Sequence, residues 1–129
     1  MSWFTDLRDF HEKYSHHIAD KPGFPSDEDL WELRLKLIVE ESDELEEELL
    51  AAYEGDNSPE RLAATAKEMC DLIYVIVGLG ISFGIDLDKA WDEVHRSNMS
   101  KEVGLKNEFG KQLKGDSYSP ADIKSVLGL

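Results

Sequence analysis

An all-α bundle of four to five helices, with a C-terminal loop and a short terminal helix, is what this sequence predicts, and three observations predict it. Apolar residues recur at steps of three and four through most of positions 1–98. Turn residues fall between those periodic runs, as KPGFP at 21–25, GDNSP at 55–59 and Gly84. Runs that alternate apolar and polar, the signature of a half-buried strand, are almost absent.

Each element follows from its own residues. Trp3, Phe4, Leu7, Phe10, Tyr14 and Ile18 form one stripe, so the first helix is amphipathic and ends before KPGFP. Ser26, three residues before Asp29, supplies a weak capping box for the second helix. Leu30, Leu33, Leu37, Ile38, Leu45 and Leu49 carry its period until Gly55 stops it. Ser58 as N-cap and Pro59 at the first helical position open a third helix that runs to about Phe83. From Met69 to Phe83 this helix is apolar nearly all round, which predicts burial on every side. Asp86 caps a fourth helix, Leu87 to about Asn98. Residues 99–119 hold Gly104, Gly110 and Gly115 without a clear period, and Ser119-Pro120 starts a short terminal helix.

At 129 residues the chain reads as a single domain, with the bundle at 1–98 and a tail at 99–129. A hydrophobic content of 41% alongside 33% charged residues marks it as a folding chain rather than a disordered one. Its net charge of −14 excludes a passive binder of duplex nucleic acid or of an anionic membrane, since both reward a basic surface. Cys70 stands alone, so no internal disulfide forms, and its apolar neighbours make it a small core residue. With no basic-then-apolar leader at its start and no apolar run of membrane length, the chain is expected to be soluble and cytoplasmic.

Charge is unevenly placed. Residues 1–88 hold 7 Lys/Arg against 22 Asp/Glu, while residues 89–129 hold 7 against 6. Between Arg96 and Lys114 the basic residues outnumber the acidic, so a basic tail is expected to close over an acidic body. The acidic body is expected to hold no cation of its own among its carboxylates, which leaves this cluster as its basic complement.

The densest acid is EESDELEEEL, with seven carboxylates between Glu40 and Glu48. Like charges three or four apart on a helix repel by roughly 0.2–0.5 kcal/mol a pair. Glu40, Glu41 and Glu44 fall within an arc of about 100° on the second helix, and Glu68 and Asp71 stand about 60° apart on the third. Antiparallel packing across the short turn at 55–58 lets the two sets face each other. Five carboxylates in a low-dielectric bundle raise one another's pKa unless a cation sits among them. Mg²⁺ suits oxygen ligands and keeps positions for waters and substrate phosphates. Bound there, it orients a phosphate chain, neutralises developing charge and acidifies water.

The E-E-x-x-E of Glu40, Glu41 and Glu44 followed by the E-x-x-D of Glu68 and Asp71 resembles the metal-binding signature of the MazG-like all-α nucleoside triphosphate pyrophosphohydrolases. HRSNMSK, GKQLKG and YSPADI are similar to the phosphoribosyl-ATP pyrophosphohydrolase-like subgroup, so the resemblance spans nearly the whole chain. It implies a helical bundle that hydrolyses a nucleoside triphosphate to the monophosphate and pyrophosphate with Mg²⁺ or Mn²⁺, as a homodimer or homotetramer. Glu40, Glu41, Glu44, Glu68 and Asp71 become the metal site, with Glu40 or Glu41 as general base. Asn98 and Lys101, with Lys114, become the phosphate contacts. Relatives act on dUTP, dCTP and guanine nucleotides, and dUTP and dGTP are the leading substrates here.

Blander readings stand beside these. Alone, EESDELEEEL is a solvated acidic face, and Asn98 and Lys101 are an ordinary helix end. Glu68 and Asp71 lie too deep in their helix for a dipole effect to explain them. Phe10, Tyr14 and Trp31 are core residues first, with one or two of them flanking the base. His11, His16, His17 and His95 take structural or surface roles, since hard-metal chemistry does not call for imidazole. Two alternative functions remain: an acidic helical interaction protein that mimics DNA, and a phosphoribosyl-ATP pyrophosphohydrolase on the same fold. A mimic spreads its carboxylates over an exposed face, whereas Glu68 and Asp71 head a helix that must be covered.

Overall fold

The computed structural model describes residues 2–129 and holds, in order, α1 (Trp3–Lys13), α2 (Glu28–Tyr53), α3 (Pro59–Ser82), α4 (Leu87–Met99) and α5 (Ile123–Val126). The all-α expectation holds, with a single antiparallel bridge between Lys106 and Gln112 the one trace of β pairing among the described residues. Two compact units divide the chain, one running to Gly84 and the other Ile85–Leu129.

In the first unit α3 packs on both α2 and α1. Helix α1 is shorter than its apolar stripe suggests. Tyr14 closes it, Ser15 turns to φ 57°, and the His16 N–H reaches back 2.9 Å to the His11 carbonyl. That left-handed turn is a Schellman closure, and it places Ile18 beyond the helix in an irregular connection. The connection is tied to the end of α3: Ala19 donates to the Ile81 carbonyl at 3.1 Å and Gly23 to the Phe83 carbonyl at 3.0 Å. Two of the carbonyls a helix end leaves open are thereby satisfied. Gly84, at φ 69°, packs so tightly on the Lys21 backbone that no β-carbon fits.

Asp27, not Ser26, caps α2, its side chain accepting from Asp29 and Leu30. Both residue types cap well, and the one-residue shift follows from which side chain the backbone aims at the helix. The turn after α2 uses Gly55 at φ 126° and leads to Ser58, which caps α3 as its sequence predicts. Arg61 pins the turn by pairing with Asp56 at 3.0 Å and with Glu48 of α2. Adjacent antiparallel helices result, and they set the registration of the carboxylates.

The core of this unit is small: Leu7, Val77, Ile81 and Phe83 are buried apolar residues. Apart from Thr65, the buried residues of α3 lie between Val77 and Ser82. Met69, Tyr74 and Ile76 are exposed, as are Leu33 and Leu49 of the α2 stripe, contrary to the expectation of an all-round buried α3. Cys70 is exposed too, because it lies in the open first half of α3. Arg34, by contrast, is only 4% exposed, and its Nε has no hydrogen-bond partner among the described residues. Its head group lies against α3 where Gly78 has no side chain; a β-carbon there would come within 2.9 Å of it and 3.1 Å of the buried His11 ring.

In the second unit α4, capped by Asp86, packs on α5. Asp122 caps α5, so the terminal helix starts later than Ser119-Pro120 suggests. Glu93 holds the two together, accepting from Arg96 at 2.7 and 2.9 Å and from the Asp122 backbone at 3.0 Å. Between the helices, Asn107 accepts from the Phe109 and Lys111 amides and closes a loop through Gly110 at φ 82°.

Candidate metal centre

Glu41 and Glu44 stand one turn apart on α2, and Glu68 and Asp71 one turn apart on α3. Because α2 and α3 run antiparallel from the pinned turn, the first pair meets the second. Each of the four offers an oxygen, and these oxygens all lie within 4.8 Å of one another. Glu40 is exposed and stands outside that group, so four of the five expected carboxylates are gathered.

Two oxygens of the cluster, Glu41 Oε2 and Glu68 Oε2, are buried without a hydrogen-bond partner. Burial and a hydrogen bond shared with Glu44 raise the Glu68 carboxyl above the usual carboxylate range. Two ionised carboxylates side by side only accept and repel each other. A divalent cation between them relieves that repulsion and satisfies the orphaned oxygens as well. The donor set is all oxygen, which suits Mg²⁺ or Mn²⁺ rather than an ion that seeks sulfur or imidazole. By donor chemistry and unsatisfied atoms, the residues fit a hard divalent ion.

A cation does stand at this site, contrary to the expectation that the acidic body lacks one. Lys67 Nζ is 2.6 Å from Asp71 Oδ2 and 3.5 Å from Glu68 Oε1. The spacing of Lys67 and Asp71, four apart on one helix, was the available signal.

The other expected substrate residues fall in separate places. Phe10 stacks on His16 at 5.7 Å and meets Tyr14 at 4.7 Å and Tyr74 edge-on at 5.3 Å. Trp31 donates from Nε1 to the Pro25 carbonyl at 2.7 Å and packs against Phe24 and Phe83. The two clusters are distinct, and Trp31 is tied into the packing around Phe83. His11 is buried with Nδ1 3.0 Å from the His17 carbonyl; a carbonyl only accepts, so Nδ1 carries the proton. Burial pushes its pKa down. In the second unit Asn98 is exposed, Lys101 is half-buried, and Lys114 lies over the Tyr118 ring at 4.8 Å.

Among the described residues, no single helix is long and apolar enough to cross a membrane. A family model described as phosphoribosyl-ATP pyrophosphohydrolase matches residues 7–98, which include all four clustered carboxylates. A 4-aminobenzoate synthase of Chlamydia pneumoniae is 29% identical over 112 residues, 83% of this chain. The chain spans 45% of that relative's length.

Proposed function

The chain belongs to the phosphoribosyl-ATP pyrophosphohydrolase family, within the MazG-like all-α superfamily, and from that premise we propose that it hydrolyses a nucleoside triphosphate to the monophosphate and pyrophosphate. The observation that carries the reading is the meeting of four carboxylates within 4.8 Å, two of them with buried, unpartnered oxygens. Glu41, Glu44, Glu68 and Asp71 would hold a divalent cation, Mg²⁺ or Mn²⁺, which supplies charge neutralisation for the phosphates and acidifies water.

The chain's own residues do the rest. Antiparallel α2 and α3 hold the carboxylates in register, so little reorganisation is needed when the substrate's phosphates arrive. Glu40 is exposed beside the cluster without belonging to it. A carboxylate in that position is free to take a proton from the attacking water, and Glu40 is the proposed general base, with Glu41 as the alternative. The P–O bond between the α- and β-phosphates breaks, and pyrophosphate leaves. Asn98 and Lys101 are proposed phosphate contacts on the resemblance of HRSNMSK, with Lys114 in support. Phe10 and Tyr14, partly open to solvent, suit a base-flanking role better than the anchored Trp31.

The proposed substrates are dUTP and dGTP, in a nucleotide-pool role; membership of the phosphoribosyl-ATP pyrophosphohydrolase family supports phosphoribosyl-ATP as a second reading. A screen of all ribo- and deoxynucleoside triphosphates and phosphoribosyl-ATP, with monophosphate and pyrophosphate both measured, tests the proposal. Equimolar release of the two from a preferred triphosphate is expected. Release of orthophosphate, or no turnover of any substrate with either metal, would sink it.

A further inference from the structure

The cation nearest the carboxylates comes from the helix that supplies half of them. Lys67 Nζ makes its short contact with Asp71 Oδ2 at 2.6 Å and a longer one with Glu68 Oε1 at 3.5 Å. Its side chain is 69% exposed, while those of Glu68 and Asp71 are 13% and 35% exposed. The acids are held by the helix packing and the ammonium is not. An exposed ion pair four residues apart on a helix contributes little to stability, so this contact is easily given up.

A divalent ion on Glu68 and Asp71 competes for the same oxygens. Two positive centres on one carboxylate repel, and the doubly charged ion outcompetes the single ammonium. Lys67 must then move, and its flexible four-carbon stem lets it do so without disturbing α3. Phosphates drawn to the cation arrive within the sweep of that stem. Lysine serves phosphate as a point charge, a role that needs no fixed geometry.

We propose that Lys67 is an exchangeable counter-cation: it neutralises Glu68 and Asp71 in the metal-free protein, yields them to the divalent ion, and then contacts the substrate's phosphate chain. The proposal rests on the metal-centre reading above. It requires two effects of opposite sign. Removing the ammonium must help the metal and harm the phosphate, a combination that an ordinary surface lysine does not produce.

The test uses the full chain, Lys67→Met, and Lys36→Met, which removes an exposed lysine of α2 and so controls for net charge. Mn²⁺ alone is titrated by electron paramagnetic resonance, and inorganic pyrophosphate is then titrated into the Mn²⁺-loaded protein by calorimetry. Lys67→Met is expected to bind Mn²⁺ about two- to tenfold tighter than wild type and pyrophosphate more weakly by a similar factor, with Lys36→Met like wild type. Should Lys67→Met match the control in either titration, the exchange is overturned while the metal centre stands. A wild-type protein that binds no Mn²⁺ overturns the metal centre itself, and the exchange with it.

Discussion

Glu68 concentrates the conflict in the cluster: its carboxyl is partly desolvated beside Glu44, which raises its pKa, and one of its oxygens is buried without a partner. A carboxyl whose folded pKa is raised contributes stability below its unfolded pKa, and that contribution is lost as pH rises through the folded value. The metal-free protein should therefore lose melting temperature as pH rises above the ordinary glutamate range, and Glu68→Gln should remove much of that loss. Millimolar Mg²⁺ should raise the wild-type melting temperature and leave Glu68→Gln nearly unmoved, since a ligand stabilises only the state that binds it. Thermal scans across pH, with and without Mg²⁺, check both; identical curves for the two proteins would remove Glu68 from the site. At this scale the sequence revealed which four carboxylates gather, because one-turn spacing on two helices is a geometric statement. It did not reveal Lys67, whose aim depends on a rotamer, or the burial of Arg34, which depends on the absence of a side chain at Gly78.

Helix boundaries were legible where one residue type dominates the local physics. Ser58-Pro59, Asp86 and Gly84 all act where the spacing placed them. The end of α1 was hidden because serine, not glycine, takes the left-handed position at Ser15. The start of α5 was hidden because Asp122 lies past the more obvious Ser119-Pro120. In the second unit the bond from Arg96 and the Asp122 amide hold Glu93 down to about 2. A depressed carboxylate contributes stability above its unfolded pKa and loses it as pH falls toward the folded value. Amide exchange of α5 should therefore be slow near neutral pH and accelerate as pH falls from about 4.5 toward 2, after correction for intrinsic exchange. Glu93→Gln should show the fast exchange already at neutral pH. Equal protection in the variant and the wild type would place the hold on α5 elsewhere.

For the molecule as a whole, the unit that carries the carboxylates exposes Leu35, Val39, Leu49, Leu50, Leu62 and Met69, an unusual load for a small acidic domain. We propose that a second copy covers part of this surface in a homodimer or a dimer of dimers. Sedimentation at micromolar concentration should give at least twice the 14.6 kDa chain mass; a monomer there would leave the surface unexplained. The sequence showed how much apolar residue α3 carries but not how much of it the chain itself covers, because coverage depends on partners that periodicity does not encode. The central claim, that the four carboxylates hold the ion on which hydrolysis depends, is tested most directly by turnover of the preferred triphosphate with Mg²⁺ in Glu44→Gln and Asp71→Asn. Each amide keeps its size and removes a repelling charge. Both variants should keep the wild-type circular dichroism and a melting temperature no lower than wild type, while pyrophosphate release falls at least about a hundredfold, the scale on which positioning and electrostatic groups act. Near-normal turnover of either variant at saturating Mg²⁺ would contradict the account.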